Sequence, residues 1–171
     1  MKSIYSFIFL AFLSACATDI KIYEGQKPAL LLESYLNGKM KAHGVVMDRS
    51  DEVTRRFIVY LDTSWKNNVG TLREDFEWAD GEKTQRIWTI TKLSEGKYEG
   101  TAADILGVAK GESAGNAFHW TYSMNLKMKD SDYHVKFNDW MYLVDDKVLI
   151  NEAKIYWYGI YGGKVLISFQ K

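Results

Sequence analysis

From Lys39 onward, apolar and polar residues alternate with period two, and turn residues interrupt the alternation, about every eight to twelve positions. Successive side chains of a strand point to opposite faces, so this pattern describes strands with one buried and one solvated face. Met40, Ala42, Gly44 and Val46 form the first such face, and Arg55, Phe57, Val59 and Leu61 the second. Leu72, Glu74, Phe76 and Trp78 follow and end at Asp80-Gly81, a strong hairpin signal. Trp88 and Ile90 lead to a turn at Glu95-Gly96, and Tyr98, Gly100 and Ala102 come next. The longest alternation is Phe118, Trp120, Tyr122, Met124, Leu126, Met128, which turns at Asp130-Ser131 into Tyr133, Val135, Phe137, Asp139, Met141. Leu149 to Trp157 and Val165 to Phe169 complete the series, separated by Gly162-Gly163.

The reading is nine or ten strands in meander order. The single proline, Pro28, precedes all of them, so every later residue keeps its ladder donor. Closing such a meander removes its exposed edges. The expected fold is therefore all-β: an antiparallel up-and-down barrel of the lipocalin-like (calycin) kind, able to hold one small ligand. Residues 28–36, from Pro28 to Leu36, are expected to form a short helix across a barrel mouth. Proline sits in its first turn and Gly38 lies just past its end.

The first fifteen residues read differently. Lys2 precedes the apolar run Ile4 to Leu13. That run suits the core of a signal peptide and is too short to span a bilayer, which takes about 20 residues. Leu13-Ser14-Ala15-Cys16 then has the form of a lipobox, and Cys16 is the one cysteine in the chain. Residues 1–15 are expected to be removed and Cys16 to carry the lipid. Residues 16–27 would form a tether, in which the eleven residues after Cys16 reach ~35–40 Å when extended. Residues 28–171 would be the barrel domain. Ala17, rather than Asp, follows the cysteine. Resemblance to the lipoprotein sorting rule of Gram-negative cells then implies the outer membrane, facing the periplasm. The expected partner is that membrane, reached through the lipid.

Twenty-two basic residues balance 22 acidic ones, which gives no electrostatic case for nucleic acid. His43, His119 and His134 all fall on the polar phase of their strands, so no metal site and no cofactor are expected. Gly111-Glu112-Ser113-Ala114-Gly115 matches the spacing of a hydrolase nucleophile elbow. That elbow needs a helix after the serine, and a strand follows here, so the motif reads as a small-residue turn.

The informative anomaly is polarity on the apolar faces. Arg55, Glu74, Arg86, Asp104, Asp139 and Asn151 all occupy inward phases. With a three-residue loop at Asp80-Gly81-Glu82, Glu74 would oppose Trp88 and lie diagonal to Arg86. A matching count at the next hairpin puts Asp104 opposite Arg86. A two-residue Asp80-Gly81 turn would instead pair Asp75 with Arg86 on the outer face. A similar count in the later hairpin sets Tyr122 against Asp139 and Trp120 against Met141. Together with the aromatic positions Phe57, Trp88, Trp120 and Tyr122, these polar groups would form a ligand site, because such sites combine apolar walls with a few converging polar groups. The expected ligand is a small amphipathic molecule such as a lipid or fatty acid, met by Arg55 or Arg86. The alternatives are a filled barrel acting as an envelope scaffold, and an enzyme using Asp139 with Tyr122 or Arg86.

The chain also resembles a family of proteobacterial lipoproteins catalogued as a domain of unknown function, DUF3833. The residues that carry the resemblance are Asn37-Gly38-Lys39, Asp48-Arg49-Ser50, Thr54-Arg55-Arg56-Phe57, Gly70-Thr71-Leu72, Glu74-Asp75-Phe76, Asp80-Gly81-Glu82, Arg86-Ile87-Trp88, Gly111-Glu112, Gly115-Asn116-Ala117 and Asp139-Trp140-Met141-Tyr142. The resemblance implies a lipocalin-like barrel and an envelope location, and no activity. The first strand lacks the Gly-x-Trp signature of true lipocalins, so lipocalin ligands do not carry over. The lipobox generates one test. Cys16→Ser should abolish incorporation of labelled palmitate and leave the protein unprocessed or soluble; a mutant that still takes up the label would refute the anchor.

Overall fold

The computed structural model describes residues 18–128 and 131–171. The lipobox, Cys16 included, lies outside the described residues. Ten strands follow one another: β1 (Gly38–Asp48), β2 (Val53–Lys66), β3 (Val69–Trp78), β4 (Lys83–Ser94), β5 (Lys97–Thr101), β6 (Ile105–Ala114), β7 (Ala117–Met128), β8 (Ser131–Leu143), β9 (Val148–Trp157) and β10 (Ile160–Gln170). Each pairs antiparallel with the next, and β1 pairs with β10 from Lys41↔Gln170 to Asp48↔Gly163, so the sheet closes into a barrel. The all-β meander is the architecture that the alternation requires.

Large rings laid over glycines fill the interior. Phe57 covers Gly44, and Phe118 covers Gly111. A Cβ on Gly70 would lie 2.5 Å from Trp65, and one on Gly100 2.7 Å from Trp120. Each ring needs the absence of a side chain on the strand it crosses, which is how wide and narrow positions interdigitate in a dense core. The same rule explains β6, which shows no alternation in sequence. After Ile105 its buried inward positions are Ala109 and Gly111, and Phe118 and Trp120 occupy the space above Gly111.

One mouth is closed by the segment before β1. The expected helix over residues 28–36 is a single turn, Leu32–Tyr35. It is short because Leu30 is held in an extended hydrogen-bonded arrangement at the barrel edge. Its N–H donates to Gly115 O at 2.8 Å, and its carbonyl accepts from Ser113 Oγ. Leu30, Leu32, Tyr35 and Leu36 are all buried. Polar contacts then fasten this plug around the rim. Glu33 meets Lys92 Nζ at 2.5 Å and accepts from Tyr98 OH at 2.7 Å, Trp65 Nε1 donates to Leu36 O at 2.7 Å, and Tyr35 OH donates to Lys147 O at 3.0 Å. Burial works to raise the Glu33 pKa, but the donations from Lys92 and Tyr98 outweigh it and the carboxyl titrates below its ordinary value.

The stretch expected to be an extended tether also lies on the barrel from residue 19 onward. Asp19 caps a 3-10 turn, Ile20–Tyr23, whose Ile20 is buried and whose Tyr23 ring packs against Trp140 and Tyr142. Apolar and aromatic side chains at Ile20 and Tyr23 favour the wall over solvent. Gly115 makes this docking possible: its φ is +51°, and a Cβ there would collide with the Tyr23 carbonyl. Gly115→Ala should therefore detach the plug from the β6–β7 turn and destabilise the fold by about 1–3 kcal/mol. Urea denaturation checks this, and an unchanged midpoint would contradict it.

Candidate functional site

The inward positions divide by height. On the plugged side they are buried: Val59, Leu61, Leu72, Ile90, Tyr98, Phe118, Leu143, Leu149 and Phe169 are all 6% exposed or less. Towards the other mouth, where the β1–β2, β3–β4, β5–β6 and β9–β10 turns lie, the same inward phases become half-buried. Val46, Phe76, Trp78, Ala102, Leu126, Tyr133, Ile155, Val165 and Ile167 pack on the core with part of their surface open. The barrel is thus sealed in its plugged half, while the apolar and aromatic inward positions of the other half, called the cup below, are part-exposed.

A polar cluster sits at the floor of that cup. Register sets it: Glu74 on β3 stands directly opposite Arg86 on β4. The expected opposition of Glu74 and Trp88 is corrected by the loop, which spans residues 79–81 because Trp78 N–H donates to Glu82 O; Trp88 opposes Leu72. Arg86 points inward and binds Asp104 Oδ2 through Nε at 2.9 Å and Nη2 at 2.7 Å. Asp75 belongs to the outer face with Arg73 and Gln85. Two carboxyl oxygens in the cluster, Glu74 Oε2 and Asp104 Oδ1, are buried without a hydrogen-bond partner. Burial pushes the Glu74 pKa up to about 7, against the pull of Arg86. Burial also works against the Arg86 guanidinium, and the neighbouring Glu74, Tyr122 and Asp104 more than offset it.

Beneath this floor lies a second polar group. Asp139 on β8 opposes Trp120 on β7, and Tyr122 opposes Phe137, two residues from the expected register, because β7 and β8 pair tightly from Met128↔Ser131. Asp139 accepts from Asn151 Nδ2, from Trp120 Nε1 at 3.3 Å and from Tyr122 OH at 3.5 Å. It is 5% exposed, and burial pushes its pKa up to about 6. The Trp88, Trp120 and Tyr122 rings meet at centroid distances of 4.8–5.8 Å. These residues, with Asn151, lie in the sealed half and support the cup from below.

The structure therefore brings Glu74, Arg86 and Asp104 together at the cup floor, with Trp88, Trp120, Tyr122, Asp139 and Asn151 packed under them. Phe57 packs on Phe76 and Trp78, at the side of the cup. Arg55 does not join the floor. It lies over the Trp78 ring at 3.8 Å and bonds Asp80 and Glu82 at 2.7 Å each, closing the rim of the β3–β4 hairpin. The cup walls Phe76, Trp78, Leu126, Tyr133 and Ile155 were not among the expected site residues. Their signal was their distance from the plug along each strand, which pattern alone does not rank.

Ser113 donates to the plug at Leu30, and a hairpin into β7 follows it, so no strand–turn–helix elbow forms. His119 stacks on Trp140 at 4.2 Å and pairs with Asn138. Among the described residues no group of three or more His, Cys, Asp or Glu could hold a metal. A groove of about 710 Å³ is lined by Val45, Ile58, Ile150 and Leu166 of the outer phase, beside His43 and Arg56, and also by Phe57, Trp78 and Ile167 of the inward phase.

The sequence profile of DUF3833, described as a protein of unknown function, matches residues 10–171. The chain belongs to the DUF3833 family. No curated protein matches it. Among solved structures, this DUF3833 protein is similar to a protein of unknown function from the DUF3598 family of Nostoc punctiforme, with a TM-score of 0.58 and 11% identity. The match covers 85% of this chain and 51% of that one, so the DUF3833 barrel spans about half the length of its relative. At that identity the likeness concerns the fold alone.

The two raised carboxyl pKa values predict a pH dependence. Glu74 and Asp139 hold their protons more tightly folded than unfolded, so their stabilising effect is complete below about pH 4 and is lost as pH rises through about 6 and 7. Stability should fall by about 1–3 kcal/mol between pH 5 and pH 8, and Glu74→Gln should flatten the upper part of that slope. Melting curves across the range check it; a wild-type curve that rises towards pH 8 would contradict it.

Proposed function

We propose that this DUF3833 protein is a membrane-anchored envelope lipoprotein whose barrel binds a small amphipathic molecule, as a binding or shuttling module. The observation that carries this is the change in exposure along one continuous inward face. The rings and aliphatic side chains of the upper half, Phe76, Trp78, Leu126, Tyr133 and Ile155, face each other across a barrel and are still part-open. Exposed apolar surface of that kind is stabilised by an apolar guest, at about 25 cal/mol per Å² removed from water. The polar floor at Glu74, Arg86 and Asp104 then gives the guest an orientation, head down and tail towards the mouth. On this reading the lipid on Cys16 keeps the barrel at the periplasmic face of the outer membrane, where such molecules are available.

The second reading is an envelope scaffold that contacts other proteins. The groove lined by Val45, Ile58, Ile150 and Leu166 favours it. Filling the cup separates the two. Ile155→Trp adds bulk to a half-buried wall position. In an open cup it should leave melting nearly unchanged and weaken binding of the neutral fluorescent probe N-phenyl-1-naphthylamine about tenfold or more. In a filled barrel it should overpack and cost about 1–3 kcal/mol, with no probe bound by either protein.

A further inference from the structure

We propose that the cup selects an amphiphile with a cationic, hydrogen-bond-donating head, an amine or ammonium, over one with a carboxylate head. This rests on the cup reading above and deepens it. The balance of charge at the floor carries the argument. One guanidinium, Arg86 of β4, faces Glu74 of β3 and Asp104 of the β5–β6 turn, with Asp139 of β8 and the Tyr122 hydroxyl of β7 beneath. Arg86 is already committed: two of its nitrogens hold Asp104 Oδ2, and Nη2 also contacts Met124 Sδ. Arg55, which shares the inward phase, is held by Asp80 and Glu82 at the rim. A carboxylate head would therefore arrive beside Glu74 and Asp104 and find both inward-phase arginines already paired with carboxylates.

A donor head finds the opposite. Glu74 Oε2 and Asp104 Oδ1 are acceptors without donors. A buried acceptor left unpaired is costly, and a partner that supplies an N–H regains that free energy. An ammonium carries three donors and no acceptor, so one head group can serve both orphaned oxygens and balance the second negative charge. Asp104 is the more open member, with a side chain 36% exposed, and Arg86 is 25% exposed, so the cluster is approached from the mouth, and binding uncovers the two orphaned oxygens, which are themselves buried. With its pKa raised to about 7, Glu74 keeps its proton in part of the molecules near neutral pH. An ammonium bound there displaces that proton, which makes binding proton-linked.

The test is competition at pH 7.5 between N-phenyl-1-naphthylamine and three twelve-carbon amphiphiles: dodecylammonium, dodecanol and dodecanoate. Dodecylammonium should displace the probe at concentrations at least tenfold below dodecanoate, with dodecanol between them. Glu74→Gln, which keeps the shape and removes the charge, should erase most of that preference. Calorimetry in buffers of differing ionisation enthalpy should show proton release on dodecylammonium binding to the wild type and none with Glu74→Gln. Dodecanoate binding as tightly as dodecylammonium, or a preference that survives in Glu74→Gln, would overturn the head-group assignment while leaving the cup intact. If the probe itself does not bind, the cup and the assignment fall together. Asp104→Asn provides a second variant should Glu74→Gln fail to fold, and it should reduce the same preference.

Discussion

A closed sheet of ten strands encloses more room than aliphatic side chains fill, because barrel diameter grows with strand number. This protein meets that constraint with rings laid flat across glycines: Phe57 on Gly44, Trp65 on Gly70, Trp120 on Gly100 and Phe118 on Gly111. Three of these pairs belong to the plugged half or the middle of the barrel, where the inward surface is sealed. Where the glycine–ring pairs give out, the wall stays open. The position of the polar floor follows from that boundary, since Arg86 and Glu74 lie one step above the Trp88, Trp120 and Tyr122 stack. The upper half of the barrel is thus shaped by what the lower half consumes.

The plug makes the two mouths unequal. A bare barrel would offer two entrances, and a guest entering either would meet the same walls. Here Leu30 to Leu36 seal one end with apolar side chains, and the Glu33–Lys92–Tyr98 contacts tie the seal to β4 and β5. Lys171 at the chain end also reaches Ser34 O, so the last strand closes over the plug as well. On the proposed reading, a single entrance gives the interior a direction, and the polar floor gives that direction a chemical meaning.

Much of this was legible in the residues and some was not. The alternation in β1, β3 and β7 to β9 is direct, since each buries one face only. Arg86 could be placed inward from its phase with Trp88 and Ile90. β6 was hidden because two of its inward residues are Ala109 and Gly111, and the smallness of Gly111 reports on rings from another strand. The registers of β3–β4 and β7–β8 were each displaced by two residues, because a hairpin register depends on which residues the loop keeps and phase alone leaves that free. The separation of cup from support was also beyond pattern. Trp120 and Phe76 look alike along their strands, and only height above the plug divides them. Arg55 shares the inward phase of Phe57 but is drawn to the rim by Asp80 and Glu82, a long-range pairing that no local rule contains.

The docking of Ile20 and Tyr23 on the wall changes how a lipid at Cys16 would act on the rest of the molecule. A free stretch up to Pro28 would let the barrel wander through a hemisphere of several tens of ångströms. With Asp19 already capping the docked turn, only two peptide steps separate Thr18 from Cys16, a reach of about 7 Å. An anchor that close behaves as a bracket. It would hold the β6–β8 side of the barrel towards the bilayer, reduce the motion of the mouth to pivoting about one point, and set the height at which the cup meets its surroundings.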